Sequence, residues 1–263
     1  MKTNQECVLE FTDAFNMFKT PYGDYSLDLL KSNPKTSKLR YDLIKEEYTE
    51  LMDAFNEENF VEIIDALTDI LYVTYGAGIA LGINLDESFP DAIKRFRRKD
   101  FNINQTHFEN VGGSYKLDPT TIKKNIFDRD NFPELNSVRV FANTIIRDVE
   151  LLRKILIDFT DHEKLEEVLN KINYKVYSIG VLLRINLDWS FDIVHKSNMS
   201  KVCKDKKTAD STVDWYIENE KRYDSPRCYA LKDGRYIVRN ESTGKALKSI
   251  DYTPADFTEM LNN

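Results

Sequence analysis

A 23-residue segment of this chain occurs twice, and the repetition constrains the fold more than any other feature of the sequence. Residues 67–89 align without a gap with residues 169–191, and 12 of the 23 aligned pairs are identical. Chance would give roughly one or two identical pairs at ordinary residue frequencies. The sequence Ile-Asn-Leu-Asp, followed one residue later by Ser-Phe, occurs in both segments. The chain is therefore predicted to contain two copies of one structural unit.

The residues around the first copy show the period of α-helices. Apolar side chains at helical spacing predict one helix over about 39–55 and a second, more apolar helix over about 60–81. Gly82 ends the second helix, and Asp86 is a suitable cap for a third helix that ends near Lys99. Since a break of about four residues separates the first two helices, they are predicted to be antiparallel neighbours.

The remainder of the chain has three kinds of segment. Residues 100–135 contain Gly and many Asn and Asp residues and are predicted to be irregular. Helical patterns resume near Val138 and continue to about Lys201, and a short helix is predicted around 212–222. An Asp-Gly turn between two β-forming runs predicts a hairpin over 228–239. The predicted divisions are a first helical unit (1–105), a linker (106–135), a second, acid-depleted helical unit (136–204) and a C-terminal helix, hairpin and tail (205–263).

This pattern predicts the fold class: an all-α, antiparallel helical bundle built from two repeated helical units, with a small C-terminal β-hairpin. The net charge of −7 argues against nucleic acid as a partner. No run approaches the ~20 apolar residues of a membrane span, so no membrane partner is expected. The N-terminus lacks the apolar stretch of a signal peptide, which predicts a cytoplasmic protein. Three widely spaced cysteines predict free thiols.

Carboxylates are concentrated on the two helices predicted before Gly82. Glu46 and Glu47 both lie one helical turn from Glu50, and Asp65 and Asp69 are four residues apart on the next helix. In an antiparallel pair these two sets can face each other across about 8–10 Å. Converging carboxylates repel unless a cation joins them, and hard oxygen ligands favour Mg²⁺, with Mn²⁺ as the alternative. The competing interpretation is that these acids form a solvated helix face.

The second copy keeps the helical pattern but loses most of these acids. At the same offset, Val149 takes the place of Glu47, Leu152 that of Glu50 and Lys171 that of Asp69. The chain is therefore predicted to be a pseudo-dimer with one acidic site. Tyr72 and Tyr75 recur in both copies, which favours a role in the scaffold over base stacking.

The acidic motifs and three later segments of the chain resemble a known family. Glu-Glu-x-x-Glu at 46–50, followed by an acid pair before Ile-Leu-Tyr-Val-Thr-Tyr-Gly, is similar to the all-α nucleotide pyrophosphohydrolases, which include MazG-like proteins, dimeric dUTPases and phosphoribosyl-ATP pyrophosphohydrolase. The segments 194–201, 243–248 and 252–256 resemble the closing segments of the bacterial and phage branch of that superfamily. The family's second motif is usually Glu-x-x-Asp, whereas this chain has Ala66 at the Glu position, with Asp65 as a substitute one residue earlier.

The resemblance implies a Mg²⁺-dependent hydrolase that cleaves a (d)NTP such as dUTP to the monophosphate and pyrophosphate. It implies that Glu47, Glu50 and Asp69 ligate the metal, with Asp65 replacing the missing Glu. Glu46 is expected to be a further ligand or, with Glu47, part of the catalytic group that orients the attacking water. The nucleotide would be a small-molecule partner, and the chain would act alone or as a homodimer.

Phosphate binding also needs cations, and the sequence separates them from the acids. We expect substrate contacts from side chains of the second half and from the end of the first unit: His195, Asn198, Lys201, Lys245, Lys248, Lys94 and Arg98. The competing interpretation is that these are helix-end cations that face water. Two functions stay open beside the leading one, namely a phosphoribosyl-ATP-type pyrophosphohydrolase and a nucleotide sensor without catalysis.

Overall fold

The computed structural model of the protein describes residues 2–96, 108–111, 114–117 and 135–262. Helices dominate this part of the chain: α1 (Asn4–Ala14), α2 (Leu27–Ser32), α3 (Pro34–Asn56), α4 (Phe60–Leu81), α5 (Leu85–Phe96), α6 (Leu135–Ala142), α7 (Ile145–Leu156), α8 (Leu165–Leu182), α9 (Leu187–Met199), α10 (Lys206–Asn219) and α11 (Thr258–Asn262). Two antiparallel hairpins pair β1 (Phe108–Val111) with β2 (Ser114–Leu117) and β3 (Pro226–Ala230) with β4 (Tyr236–Asn240). The predicted all-α bundle with a C-terminal hairpin is confirmed.

The first hairpin corrects one expectation. The composition of the segment 100–135 predicts irregular structure, but residues 108–111 and 114–117 form paired strands. Two four-residue runs around a Gly-Gly pair are a hairpin sequence, which the overall composition of the segment obscures. The rest of that segment lies outside the described residues.

Helix α4 is the centre of the bundle. It packs against α3, α1, α8 and α9, and most of its side chains are buried. Contrary to the expectation from the sequence, α4 is long and apolar enough to cross a membrane, but 83% of its most apolar window is buried inside the protein. Burial on all sides accounts for this composition, since a helix that is hydrophobic all round belongs in a core.

The two copies of the repeat have the same local geometry at the end of α4 and α8. The Ile83 amide donates to the Gly78 carbonyl, and the Ile185 amide donates to the Gly180 carbonyl, both at 2.8 Å. A Cβ at Gly180 would lie 2.5 Å from the Leu187 side chain, so glycine permits the close approach of the following helix. The predicted duplication is thus confirmed in three dimensions.

The copies differ at the positions of the acids. The counterpart of α3 is divided into α6 and α7. Val149 and Leu152, which replace Glu47 and Glu50, are fully buried in the core. Asp148, the counterpart of Glu46, pairs with Lys175 at 2.5 Å. The second copy has therefore exchanged a polar cluster for apolar packing.

The C-terminal segment folds back onto the first unit. Five buried residues of its own, Cys203, Ala209, Tyr216, Val238 and Leu247, form a small second core. Ile237, Phe257 and Met260 belong instead to the main core. The same segment brings Lys245 to Glu46 of α3 and Tyr252 to Ser197 of α9. All three cysteines are free thiols, as predicted.

Candidate active site

The predicted carboxylates line one cavity of about 250 Å³ between α3, α4, α9 and the C-terminal segment. Its acidic residues are Glu46, Glu47, Glu50, Asp65 and Asp69. The two helices are brought side by side by a tight reversal in which the Asn59 side chain accepts the amide of Glu62 at 3.3 Å and caps α4. The antiparallel arrangement predicted from the short break is the one observed.

The position of Asp65 explains the departure from the usual family motif. Ala66 is only 5% exposed and lies in the main core. Asp65 and Asp69 are one helical turn apart, and both line the cavity. Asp65 therefore lies on the face of α4 that meets Glu47 and Glu50 of α3.

The cavity is a costly environment for negative charge. Burial, then the neighbouring Asp65 charge, raises the pKa of Asp69 to about 7. Burial, then the charge of Glu62, raises the pKa of Asp65 to about 6. Burial also raises the pKa of Glu47 well above its ordinary value, with Asp69 as the strongest of its acidic neighbours. These negative charges lie close together in a space with little water, so loss of hydration and mutual repulsion both penalise them. A bound cation would relieve both penalties.

Cations from the second half of the chain line the same cavity. They are Lys201, Arg222, Lys245 and Lys248. The Lys245 ammonium donates to a Glu46 carboxylate oxygen at 2.5 Å, and the Lys201 ammonium donates to the Asn198 side-chain oxygen at 2.5 Å. Burial lowers the pKa of Lys201, with nearby cations adding to the effect. The acids of the first half of the chain and the cations of the second half therefore line the same cavity.

Two of the predicted substrate contacts, His195 and Lys94, lie outside the lining of this cavity. The His195 ring lies between the Tyr72 hydroxyl, 3.0 Å from Nδ1, and a Glu10 oxygen, 3.1 Å from Nε2, and it does not line the cavity. The Lys94 ammonium pairs with Asp91 at 2.7 Å on the exposed side of α5, which packs against α8 rather than α3. Arg98 lies outside the described residues.

The donor chemistry of the cavity fits a hard divalent cation. Its acids supply only oxygen ligands, and the raised pKa values of Asp65 and Asp69 indicate that the site favours neutralisation of these two charges. Within the described segments, no three acidic, His or Cys side chains form a compact ready-made ion site. The side chains of Glu46 and Lys245 already pair, so the binding of a cation would redistribute these contacts.

Sequence reasoning missed several residues of this region. Tyr216, Arg222, Tyr223 and Tyr252 also line the cavity. Arg40 lies in an adjoining cavity, and its spacing carried a signal, because it occupies the same helical stripe as the buried Ile44, Tyr48 and Leu51. A charged residue in a core-facing stripe is unusual enough to mark a site.

The helical pair with facing carboxylates is the part of this structure that resembles the all-α nucleotide pyrophosphohydrolases. The phosphoribosyl-ATP pyrophosphohydrolase family matches residues 10–96, which include every carboxylate of the cavity. An uncharacterized protein of Acanthamoeba polyphaga mimivirus is 33% identical over 262 residues, covering 98% of this chain and 96% of the relative. No solved structure matches. The match over residues 10–96 supports the phosphoribosyl-ATP pyrophosphohydrolase/MazG-like superfamily for this part of the chain, and with it a hydrolase of pyrophosphate bonds.

Proposed function

We propose that this protein is a Mg²⁺-dependent nucleotide pyrophosphohydrolase that cleaves a (d)NTP, such as dUTP, to the monophosphate and pyrophosphate. The observation that carries the proposal is the single cavity in which five carboxylates of α3 and α4 face the cations of the C-terminal half. The acids suit a divalent metal, and the cations suit the phosphate oxygens. Mn²⁺ is the alternative metal.

The residues divide into three roles. Glu47, Glu50, Asp65 and Asp69 would hold the metal, which when bound neutralises phosphate oxygens and acidifies water. Glu46 would orient the attacking water and accept its proton, and its contact with Lys245 holds the carboxylate in place. Lys201, Lys245 and Lys248 would bind the phosphates, and Asn198 would position Lys201. Water adds to one phosphorus of the α–β anhydride, the bond between that phosphorus and the bridging oxygen breaks, and the nucleoside monophosphate and pyrophosphate are released.

Two alternatives have specific support. A phosphoribosyl-ATP-type activity is favoured by the family that matches residues 10–96. A nucleotide sensor without catalysis is favoured by Ala66, since the usual acid is missing at that position. The presence of Asp65 in the cavity argues against the sensor.

A nucleotide panel tests all three. The purified protein is incubated with each canonical (d)NTP, dUTP and phosphoribosyl-ATP, with Mg²⁺, Mn²⁺ or EDTA, and pyrophosphate release is measured. We expect metal-dependent release from at least one (d)NTP. Release from phosphoribosyl-ATP alone would establish the first alternative. Binding of nucleotides without release from any of them would establish the sensor.

A further inference from the structure

A second, smaller cavity opens beside the carboxylates. It measures about 110 Å³ and shares Glu47, Asp69, Asn198, Lys201, Lys245 and Ala246 with the acidic cavity. Apart from Thr12, Arg40 and Gly76, its other walls are apolar or aromatic: Val8, Phe11, Met17, Leu43, Tyr72 and Val73. A ligand could therefore place a charged end among the acids and an apolar end here. We name this space the side pocket.

Arg40 is a buried cation in the lining of the side pocket. The residue is only 5% exposed, and its Nε has no hydrogen-bond partner among the described residues. Within the same part of the chain, no carboxylate lies within ion-pair distance of its guanidinium. Burial lowers the pKa of Arg40 to about 10, so the group is still charged at neutral pH. An unpaired charge in a buried place is costly, which points to an acceptor that arrives with a ligand.

The fold makes room for this guanidinium. A Cβ at position 76 would lie 2.9 Å from Nη1 of Arg40, so the glycine at this position of α4 gives the group its space. Gly76 itself lines the side pocket, which places the guanidinium end of Arg40 at the pocket wall.

The second copy lacks this pair. At the repeat offset, Ala142 replaces Arg40 and Ser178 replaces Gly76. Ala142 is fully buried, and the Ser178 hydroxyl donates to the Tyr174 carbonyl of its own helix. Arg40 and Gly76 thus occur in the copy that has kept the carboxylates, as expected for a functional pair and not for a requirement of the scaffold.

We propose that the side pocket binds the base of the substrate, that the base is a pyrimidine, and that Arg40 donates to its C2 carbonyl. This inference rests on the proposed function and specifies its substrate class. The side pocket, at about 110 Å³, is smaller than the apolar cavity of ~150 Å³ that holds one benzene molecule, so it has room for at most one ring and not for a fused pair. Phe11 and Tyr72 provide aromatic surface for the ring, which gives Tyr72 a role beyond the scaffold role that its recurrence favours. The C2 carbonyl is common to uracil, thymine and cytosine.

A phosphate is a poorer occupant of the same pocket. The apolar walls would strip water from a phosphate, whereas the acidic cavity adds Arg222 and Lys248 to the Lys201 and Lys245 that both cavities share. The acidic cavity also contains Tyr223, an aromatic side chain on which a base could stack instead. Variants of Arg40 and Tyr223 separate these two placements of the base.

The test measures binding of product-like ligands by titration calorimetry with Mg²⁺ present. The ligands are dUMP, dTMP, dCMP, dAMP and dGMP, and the proteins are the wild type, Arg40→Met, Gly76→Ala and Tyr223→Ala. We expect the wild type to bind the pyrimidine monophosphates at least about tenfold more tightly than the purine ones. Arg40→Met should weaken pyrimidine binding about 10- to 100-fold, as expected for a hydrogen bond to a charged group, and change purine binding little.

Gly76→Ala keeps the Arg40 side chain but displaces its guanidinium, so it should reduce the same preference. Arg40→Met should also unfold at the same temperature as the wild type or higher, because it removes an unpaired buried charge. The inference is overturned if purines bind equally well, if no monophosphate binds, if Arg40→Met weakens every ligand equally, or if only Tyr223→Ala changes the preference.

Failure of the inference and failure of the proposed function give different results. Pyrophosphate release from purine and pyrimidine triphosphates alike would leave the function standing and overturn the pyrimidine pocket. A pyrimidine preference in binding that depends on Arg40, without pyrophosphate release from any nucleotide, would leave the pocket standing and overturn the proposed function.

Discussion

The ammonium of Lys245 lies 2.5 Å from a carboxylate oxygen of Glu46, although 199 residues separate the two in the chain. Burial alone would lower the pKa of Lys245, but the hydrogen bond and the charge of Glu46 outweigh it and raise this pKa. The pair joins the C-terminal segment to α3 at the candidate active site.

Lys245→Ala should lower kcat/KM for the hydrolysed nucleotide by about 10- to 100-fold, because a charge-assisted contact to phosphate and the partner of Glu46 are both lost. Steady-state pyrophosphate release measures the effect. Lys232→Ala, at an exposed position in the hairpin turn, is the matched control and should behave like the wild type. Equal kinetics for the two variants would remove Lys245 from the site.

Lys201→Ala and Asn198→Ala should raise KM or abolish turnover while metal binding survives. The Asn198 oxygen accepts from the Lys201 ammonium, so either change disturbs the same phosphate contact. Kinetics and calorimetric titration with Mn²⁺ report the two properties separately. Lys196→Ala, an exposed change on the same helix, should leave both unchanged. Loss of Mn²⁺ binding in Asn198→Ala would contradict the assigned role.

Asp69→Asn and Glu50→Gln should abolish metal-dependent turnover, because each removes a ligand charge. Asp69→Asn should also raise the melting temperature of the metal-free protein by a few degrees at neutral pH, since burial penalises the charged form. Differential scanning fluorimetry with and without Mg²⁺ measures this shift. Glu57→Gln, on the exposed turn after α3, is the control. A lower metal-free melting temperature in Asp69→Asn would argue against repulsion in the cavity.

The stability of the metal-free protein should fall as the pH rises. The folded-state pKa values of about 6 for Asp65 and about 7 for Asp69 lie above the ordinary value of 3.8, so the folded protein binds these protons more tightly than the unfolded chain. Their contribution is complete below about pH 4 and is lost as the pH rises through the two folded-state values. Saturating Mg²⁺ should reduce this loss, and Mn²⁺ affinity should increase over the same range as protons cease to compete. Thermal melts across this pH range provide the measurement, and a flat metal-free profile would contradict it.

Restoring the usual family motif should damage this protein. Ala66 is 5% exposed in the main core, so Ala66→Glu buries a carboxylate and should cost about 1–3 kcal/mol of the free energy of unfolding. Asp65→Asn, in contrast, should leave the fold intact and reduce turnover. Urea unfolding and the pyrophosphate assay distinguish the two. A stable and more active Ala66→Glu variant would show that Asp65 is not the substitute.

Local patterns are sufficient to predict the helices and their acids. The bounds predicted for α4 match those observed, because apolar periodicity and the Gly82 stop act within a few residues. The short break after α3 implies an antiparallel pair, and this alone places Glu47 and Asp69 on facing helices. The two hairpins differ in this respect: Asp-Gly predicts the β3–β4 hairpin, whereas the β1–β2 hairpin lies in a segment whose composition predicts irregular structure.

Contacts between residues that are far apart in the chain cannot be predicted from the sequence. The sequence predicts His195 at the phosphates, but Tyr72 and Glu10 hold its ring on the side of α9 that faces α1. The unpartnered state of Arg40 depends on what surrounds a buried side chain, and no periodicity shows that.

The sequence by itself determined a duplicated helical scaffold, the helix pair that carries the acids, and the loss of those acids from the second copy. The tertiary structure decided which cations line the same cavity as the acids, that Asp65 lines it while Ala66 lies in the core, and that a buried Arg40 lines a pocket beside the carboxylates. The physical reason is the distance along the chain over which each kind of interaction acts. Helix formation and turn chemistry depend on neighbours within a few residues, whereas the charge balance of a cavity depends on groups that only the folded chain brings together.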